Sequence, residues 1–267
     1  MLVLLGPGFD ASERGYQALA RVTGLVPYDL RTRVKSGSWG MLRSFADAGQ
    51  ANEFASKLIA EGFPVVVVDR QVTSDPERRH VPVQGVLFGE SDFVLRLKDR
   101  EMRIPYGALA CIVEGEVQPG RAAGTPVPGA ASSGSLRAVT PGAPEMQVFR
   151  EAHLASPIGY LAADLHFSTV HWIARVDSRG FDFGAGRTGN VAVDLANFTN
   201  TLAQKCGVRV DRSVRSSSVA SFAEQPLSLR GASWPPASLR GKDATDPRFD
   251  SYSRLLGEAE RLARRAG

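Results

Sequence analysis

Residues 63–97 read FPVVVVDRQVTSDPERRHVPVQGVLFGESDFVLRL, and the hydrophobic rhythm changes inside them. Phe63 and Val65 to Val68 make a mostly β-branched run, the pattern of a strand covered on both faces. Thr73 to Arg79 is a polar hinge. Past it Val81, Val83, Gly85 and Leu87 alternate, then Phe93, Leu95 and Leu97, the two-residue period of strands with one buried face. The change divides the chain into residues 1–72, residues 80–210, and residues 211–267, which read as a linker and a C-terminal helix.

Working back from the hinge, the pattern predicts strand, helix, helix, strand, helix, strand. Met1 to Leu5 is a strand, and Asp10 or Ser12 caps a helix that Gly24 stops. Pro27 opens a second helix to Lys35, where its missing N–H costs nothing. Trp39 to Phe45 is a strand. In the third helix Ala51, Phe54, Ala55, Leu58 and Ile59 recur at helical spacing until Gly62. The expected unit is a small three-stranded sheet with three helices on one face.

Val22-Thr23-Gly24-Leu25, the short helix after it, and Ala51 through Leu58 to Glu61-Gly62-Phe63-Pro64-Val65 resemble the C-terminal domain of the ribosomal large-subunit stalk protein. They also resemble the related adaptor of the Clp protease. The resemblance covers about a quarter of the chain and implies a docking module for translation factors or degradation substrates, with no catalysis of its own. Where the stalk domain presents a lysine-rich helix, the matching segment here has Tyr28, Asp29, Arg31, Arg33 and Lys35. Arginine pairs with carboxylates through two donors, so the implied partner is a protein offering an acidic peptide surface.

Forward from the hinge the alternation continues through Met102 and Ile104, then Ala108 to Val113. Residues 118–145 are rich in Pro, Gly, Ala, Ser and Thr and read as a flexible insertion. Strands follow at Gln147 to Phe149, Tyr160 to Phe167, His171 to Val176 and Phe181 to Phe183. A helix capped by Asp194 ends at Lys205-Cys206-Gly207. Seven or so antiparallel strands closed by one helix resemble a pleckstrin-homology-type barrel. Two small β domains split by the insertion are the competing arrangement. The overall expectation is α+β.

With 267 residues, 43% of them hydrophobic, the chain can fold on an apolar core without metal or disulfide. Cys111 and Cys206 have no neighbour at a redox or metal-binding spacing. The first residues lack a basic start and a long apolar run, and no stretch reaches 18 apolar residues. A cytoplasmic protein without membrane insertion is expected. The net charge of +4 comes mainly from the C-terminal part, but the tail lacks interleaved basic and aromatic residues, which points away from nucleic acid. A nucleic-acid-associated regulator using that Arg-rich tail is kept as an alternative.

Asp164, His166 and His171 are the nearest approach to a metal or acid–base set, since Asp164 and His166 share a strand face. They would support a metal-dependent hydrolase. The run Gly184-Ala185-Gly186-Arg187-Thr188-Gly189 could cradle an anion, though it lacks the Gly-Lys-Ser/Thr ending. No cofactor fingerprint is read. Trp234, in a Pro-rich segment, is a candidate linear motif. Tyr252, Leu255, Leu256, Ala259 and Leu262 make an apolar helical stripe that needs a cover: a partner chain, the protein's own core, or the mate in a homodimer. The function expected from these features is a non-enzymatic interaction or regulatory adaptor.

Overall fold

The computed structural model of the chain describes residues 1–117, 159–214 and 247–266. Strand β1 (Leu2–Leu5) lies between β2 (Gly40–Ser44) and β3 (Val65–Val68) and pairs antiparallel with both. Helices α1 (Glu13–Thr23), α2 (Pro27–Arg33) and α3 (Ala48–Ala60) complete the unit in the order the sequence predicts. Their ends are set locally. The Ser12 hydroxyl accepts from Gly15 N–H, Asp47 accepts from Gln50 N–H, and Gly24 ends α1 with a left-handed φ of 70°. Alternation along β1 sends Val3 and Leu5 toward the three helices, where Leu19, Leu30 and Leu58 close a core.

The expected barrel over residues 80–210 is not formed, and among the described residues no sheet closes on itself. Strands β4 (His80–Val83), β8 (Leu109–Val117), β9 (Tyr160–Phe167), β10 (Ile173–Asp177) and β11 (Val210–Asp211) make one mixed sheet in the order β11-β8-β9-β10-β4. Strands β5 (Gly85–Phe88), β6 (Asp92–Arg96) and β7 (Glu101–Pro105) make a separate antiparallel meander. Two parallel pairings, β4 with β10 and β8 with β11, break the all-antiparallel expectation. A two-residue period is the same for either strand direction, so alternation could not separate them. The break falls at Gln84, whose N–H donates to Arg96 O and whose carbonyl accepts from Asp182 N–H. Phe181 to Phe183 supplies only an isolated bridge, Asp182 to Gly85, in place of a strand. Pro82 sits in β4, an edge strand, where a missing ladder donor is tolerated.

Helix α4 (Val191–Cys206) packs on one face of the five-stranded sheet. Leu195 and Leu202 join Ile112, Leu165 and Val176 there, with Phe93 and Leu95 of the meander. Helix α5 (Pro247–Ala266) covers the opposite face and also the face of the first sheet that α1 to α3 leave open. Its Phe249, Tyr252, Leu255, Leu256 and Ala259 are buried between Leu2, Leu4 and Val68 on one side and Cys111, Val113 and Ala162 on the other. The apolar stripe is therefore covered by the chain's own core, which leaves it unavailable to a dimer mate. Gly115 makes room for this: a Cβ there would stand 2.6 Å from a ring carbon of Phe249. The insertion at 118–145, the expected strand at Gln147 to Phe149, and Trp234 lie outside the described residues.

This arrangement sets an expectation for stability. Truncating Leu256→Ala should cost about 3 kcal/mol through lost burial and a cavity. Ile59→Ala, on the exposed side of α3, should cost under about 0.5 kcal/mol. Urea denaturation measures both, and equal losses would contradict a core role for α5.

Candidate functional site

Alternation along β9 and β10 turns Asp164, His166 and Arg175 toward α5 and sends Leu165, Ala174 and Val176 into the opposite core. The antiparallel register sets Arg175 directly across from Asp164. Two parallel bonds result, Arg175 Nε to Asp164 Oδ1 at 2.7 Å and Nη2 to Oδ2 at 2.8 Å. The same Nη2 donates to Asp250 Oδ1 of α5 at 2.7 Å. From the next turn of α5, Ser253 Oγ donates to Asp164 Oδ2 at 2.6 Å and lies 2.8 Å from His166 Nε2. His80 Nε2 is 3.3 Å from Asp164 Oδ2, near enough to act electrostatically and too poorly aligned for a hydrogen bond. Gly257 lies against the imidazole, and a Cβ there would be 2.6 Å from His166 Cε1.

Protonation follows from these contacts. Burial alone would raise the Asp164 carboxyl, but the charge of Arg175, then that of His80, outweighs it and holds the group well below the usual carboxylate range. An ionised Asp164 only accepts, so the Ser253 proton goes to it. His166 Nε2 must then carry its own proton and donate to Ser253. Burial, with His80, Arg78 and Arg175 adding to it, pushes His166 down to about 4 against the opposing pull of Asp164, and the ring is neutral at pH 7. A nucleophilic triad needs the imidazole between hydroxyl and carboxylate so that it can take the hydroxyl proton. Here the hydroxyl stands in the middle, with its proton already committed, and both Ser253 and Asp164 are fully buried.

The hydrolase reading is corrected on the same grounds. Asp164 and His166 come together, but His171 is exposed in the loop between β9 and β10. Among the described residues no group of three His, Cys, Asp or Glu could hold a metal ion. Arg175, the ligand of Asp164, is the residue that sequence reasoning missed.

Further along α5, Glu258 pairs with Arg78 and Arg261, Arg254 Nη1 donates to Thr73 O at 2.8 Å, and Arg264 reaches Ala110 O at 3.0 Å. Glu260 accepts from Trp39 Nε1 at 2.9 Å and from Arg209 Nε at 2.8 Å. Arg212 pairs with Glu114. These arginines of the C-terminal part tie elements together and offer little free charge to a nucleic acid. In the glycine-rich loop, Thr188 N–H and Oγ1 both donate to Asp194 Oδ1 at 2.7 Å, so the protein's own carboxylate occupies the anion position. Asn190 caps α4 in place of Asp194.

Two places on the surface bear on binding, apart from the exposed Ile59, Leu87, Phe88 and Val193. Pro76, Glu77 and Arg79 face Val170, His171 and Trp172 across an open groove of about 600 Å³. At the start of α2, Val26 and Tyr28 are 60% and 69% exposed. Compared with known proteins, the chain matches no family model, no curated protein and no solved structure. No helix among the described residues is long and apolar enough to cross a membrane.

Of the other residues singled out in the sequence, Asp29 and Lys35 are exposed. Arg31 pairs with Glu13 and stands 5.8 Å over the Tyr16 ring, and Arg33 Nη1 donates to Leu42 O at 3.3 Å. Part of the expected basic surface is thus used within residues 1–72.

The seam makes stability depend on pH. An unfolded histidine titrates near 6.5, so between pH 6.5 and about 4 the unfolded chain binds a proton that buried His166 refuses. Unfolding takes up that proton, and stability falls as the pH drops through this window, by up to about 3 kcal/mol from this group. Urea denaturation at about pH 7 and about pH 4.5 should show the fall, and His166→Gln should lose most of the slope.

Proposed function

We propose that this chain is a non-enzymatic protein-recognition module, an adaptor or regulator that docks a partner protein at the start of α2. The observation that carries this reading is the exposure of Val26 and Tyr28 on either side of Pro27, where, apart from Phe88, the other aromatic side chains among the described residues are buried or half-buried. Pro27 fixes its own backbone angle at the first turn of α2, so the two side chains are presented on a stiff support and lose little freedom on binding. Tyrosine suits such a place, with a large apolar ring and a polar tip.

Arg31, Arg33 and Lys35 follow on the same short segment against one acidic residue, Asp29. The matching partner is an acidic peptide segment carrying an apolar or aromatic residue. Positive charge speeds its approach, and the exposed apolar pair holds it. The resemblance of residues 1–72 to the stalk-protein and Clp-adaptor docking domains supports the same kind of partner. A cytoplasmic setting suits Cys111 and Cys206, which are both free thiols.

The test uses positions that make no contact needed by the fold. A photo-crosslinking residue at position 28 identifies the partner, which is then purified for equilibrium and kinetic measurements. Tyr28→Ser should weaken binding about tenfold or more. Lys35→Glu should act mainly on the association rate and only at low salt. Unchanged affinity in both variants, with stability preserved, would overturn the reading.

A further inference from the structure

We propose that the groove between residues 76–79 and 169–172 is a second binding site, which takes the free carboxyl terminus of a peptide whose last residue is apolar. This site stands apart from α2 and does not depend on the reading given for it.

The groove is held by the fold on both sides. Its two walls are the segments that lead into β4 and β10, and they are joined where Ile173 N–H donates to Arg79 O at 3.0 Å. Trp172 is fixed from beneath by Phe167, with ring centroids 5.2 Å apart. Pro76, Val170 and Trp172 give the walls apolar surface, and Arg79 and His171 place N–H donors among them.

The charged groups of the groove differ from those packed beside it. Neighbouring Arg78 is buried and paired with Glu258, and Arg254 is bonded to the backbone of Thr73. By contrast, among the described residues the side chains of Arg79, Glu77 and His171 make no hydrogen bond or ion pair. Arg79 is suited to a carboxylate, which it can hold through two parallel donors. Glu77 on the same wall opposes a large negative charge, which disfavours phosphates and polyanions and leaves one carboxylate on Arg79 beside an apolar body as the best match. An open groove with this lining suits a short peptide end better than an enclosed small molecule. A strand added to β4 is a poorer occupant, because Pro82 interrupts that edge.

The probe is acetyl-Gly-Gly-Leu as the free acid and as its amide, titrated into the full chain while the Trp172 indole N–H signal is followed by NMR. Trp172→Phe assigns that signal among the three tryptophans. The free acid should shift the signal saturably, and the amide should bind about tenfold more weakly. Arg79→Gln should abolish the difference between acid and amide. Glu77→Gln should tighten the acid about two- to threefold. Tyr28→Ser should leave all of this unchanged, so the α2 reading can fail without affecting this one. Equal binding of acid and amide, shifts that spare Trp172, or no binding at millimolar peptide would each overturn the proposal.

Discussion

The Asp164 carboxylate is buried where no water reaches it, and the structure around it is arranged to meet that one charge. Leaving an ionised carboxyl unpaired in an apolar interior costs several kcal/mol. Arg175 answers it from the adjacent strand, which ties the β9–β10 register to this pair: a slip of one residue would send one partner to the other face. Arg175 in turn brings a positive charge inside, and Asp250 shares it. The remaining capacity of Asp164 is taken by Ser253, and that hydroxyl orients His166. A chain of obligations thus runs from two strands into α5. Such a seam adds little net stability compared with a well-packed apolar one. What it adds is specificity, because the Asp250 and Ser253 contacts fix the axial position of α5.

The same helix joins the two halves of the molecule. Apolar side chains of α5 fill the space between both sheets, and its polar ones reach Thr73, Trp39, Asp211 and Ala110. What resembles a set of reactive groups when read along the sequence is the internal fastening of this helix. The outward-facing groups with a proposed binding role are Val26 and Tyr28 on a proline-stiffened turn, and Arg79 with His171 beside Trp172.

The first 68 residues were legible because the elements there carry their own punctuation, Ser12, Gly24, Pro27, Asp47 and Gly62, and because α1 packs on α2, α2 on β2 and α3 on β3. Most of the later strands were visible as alternating runs, but β4 and β5 were read as one, β11 was missed, and their partners were not legible. Val81 and Val83 alternate as any strand does, and nothing in them tells that β4 leaves the meander to lie parallel to β10. Asp164 and His166 were read as sharing a face, which they do. Their meaning changed with two residues distant in sequence, Arg175 across the sheet and Ser253 on α5. The apolar stripe of α5 was visible. Its cover was not, because a stripe records that something is buried and not what buries it.

The position of α5 along the chain has a consequence for biosynthesis. Leu2 and Leu4 leave the ribosome about 250 residues ahead of Leu255 and Leu256, which cover them. At about 5–20 residues per second, roughly ten to fifty seconds separate the two events. During that interval the first sheet can gather α1 to α3 on one side while its other side stays bare and sticky. Nascent copies of this protein should therefore be natural clients of ribosome-associated chaperones until α5 arrives.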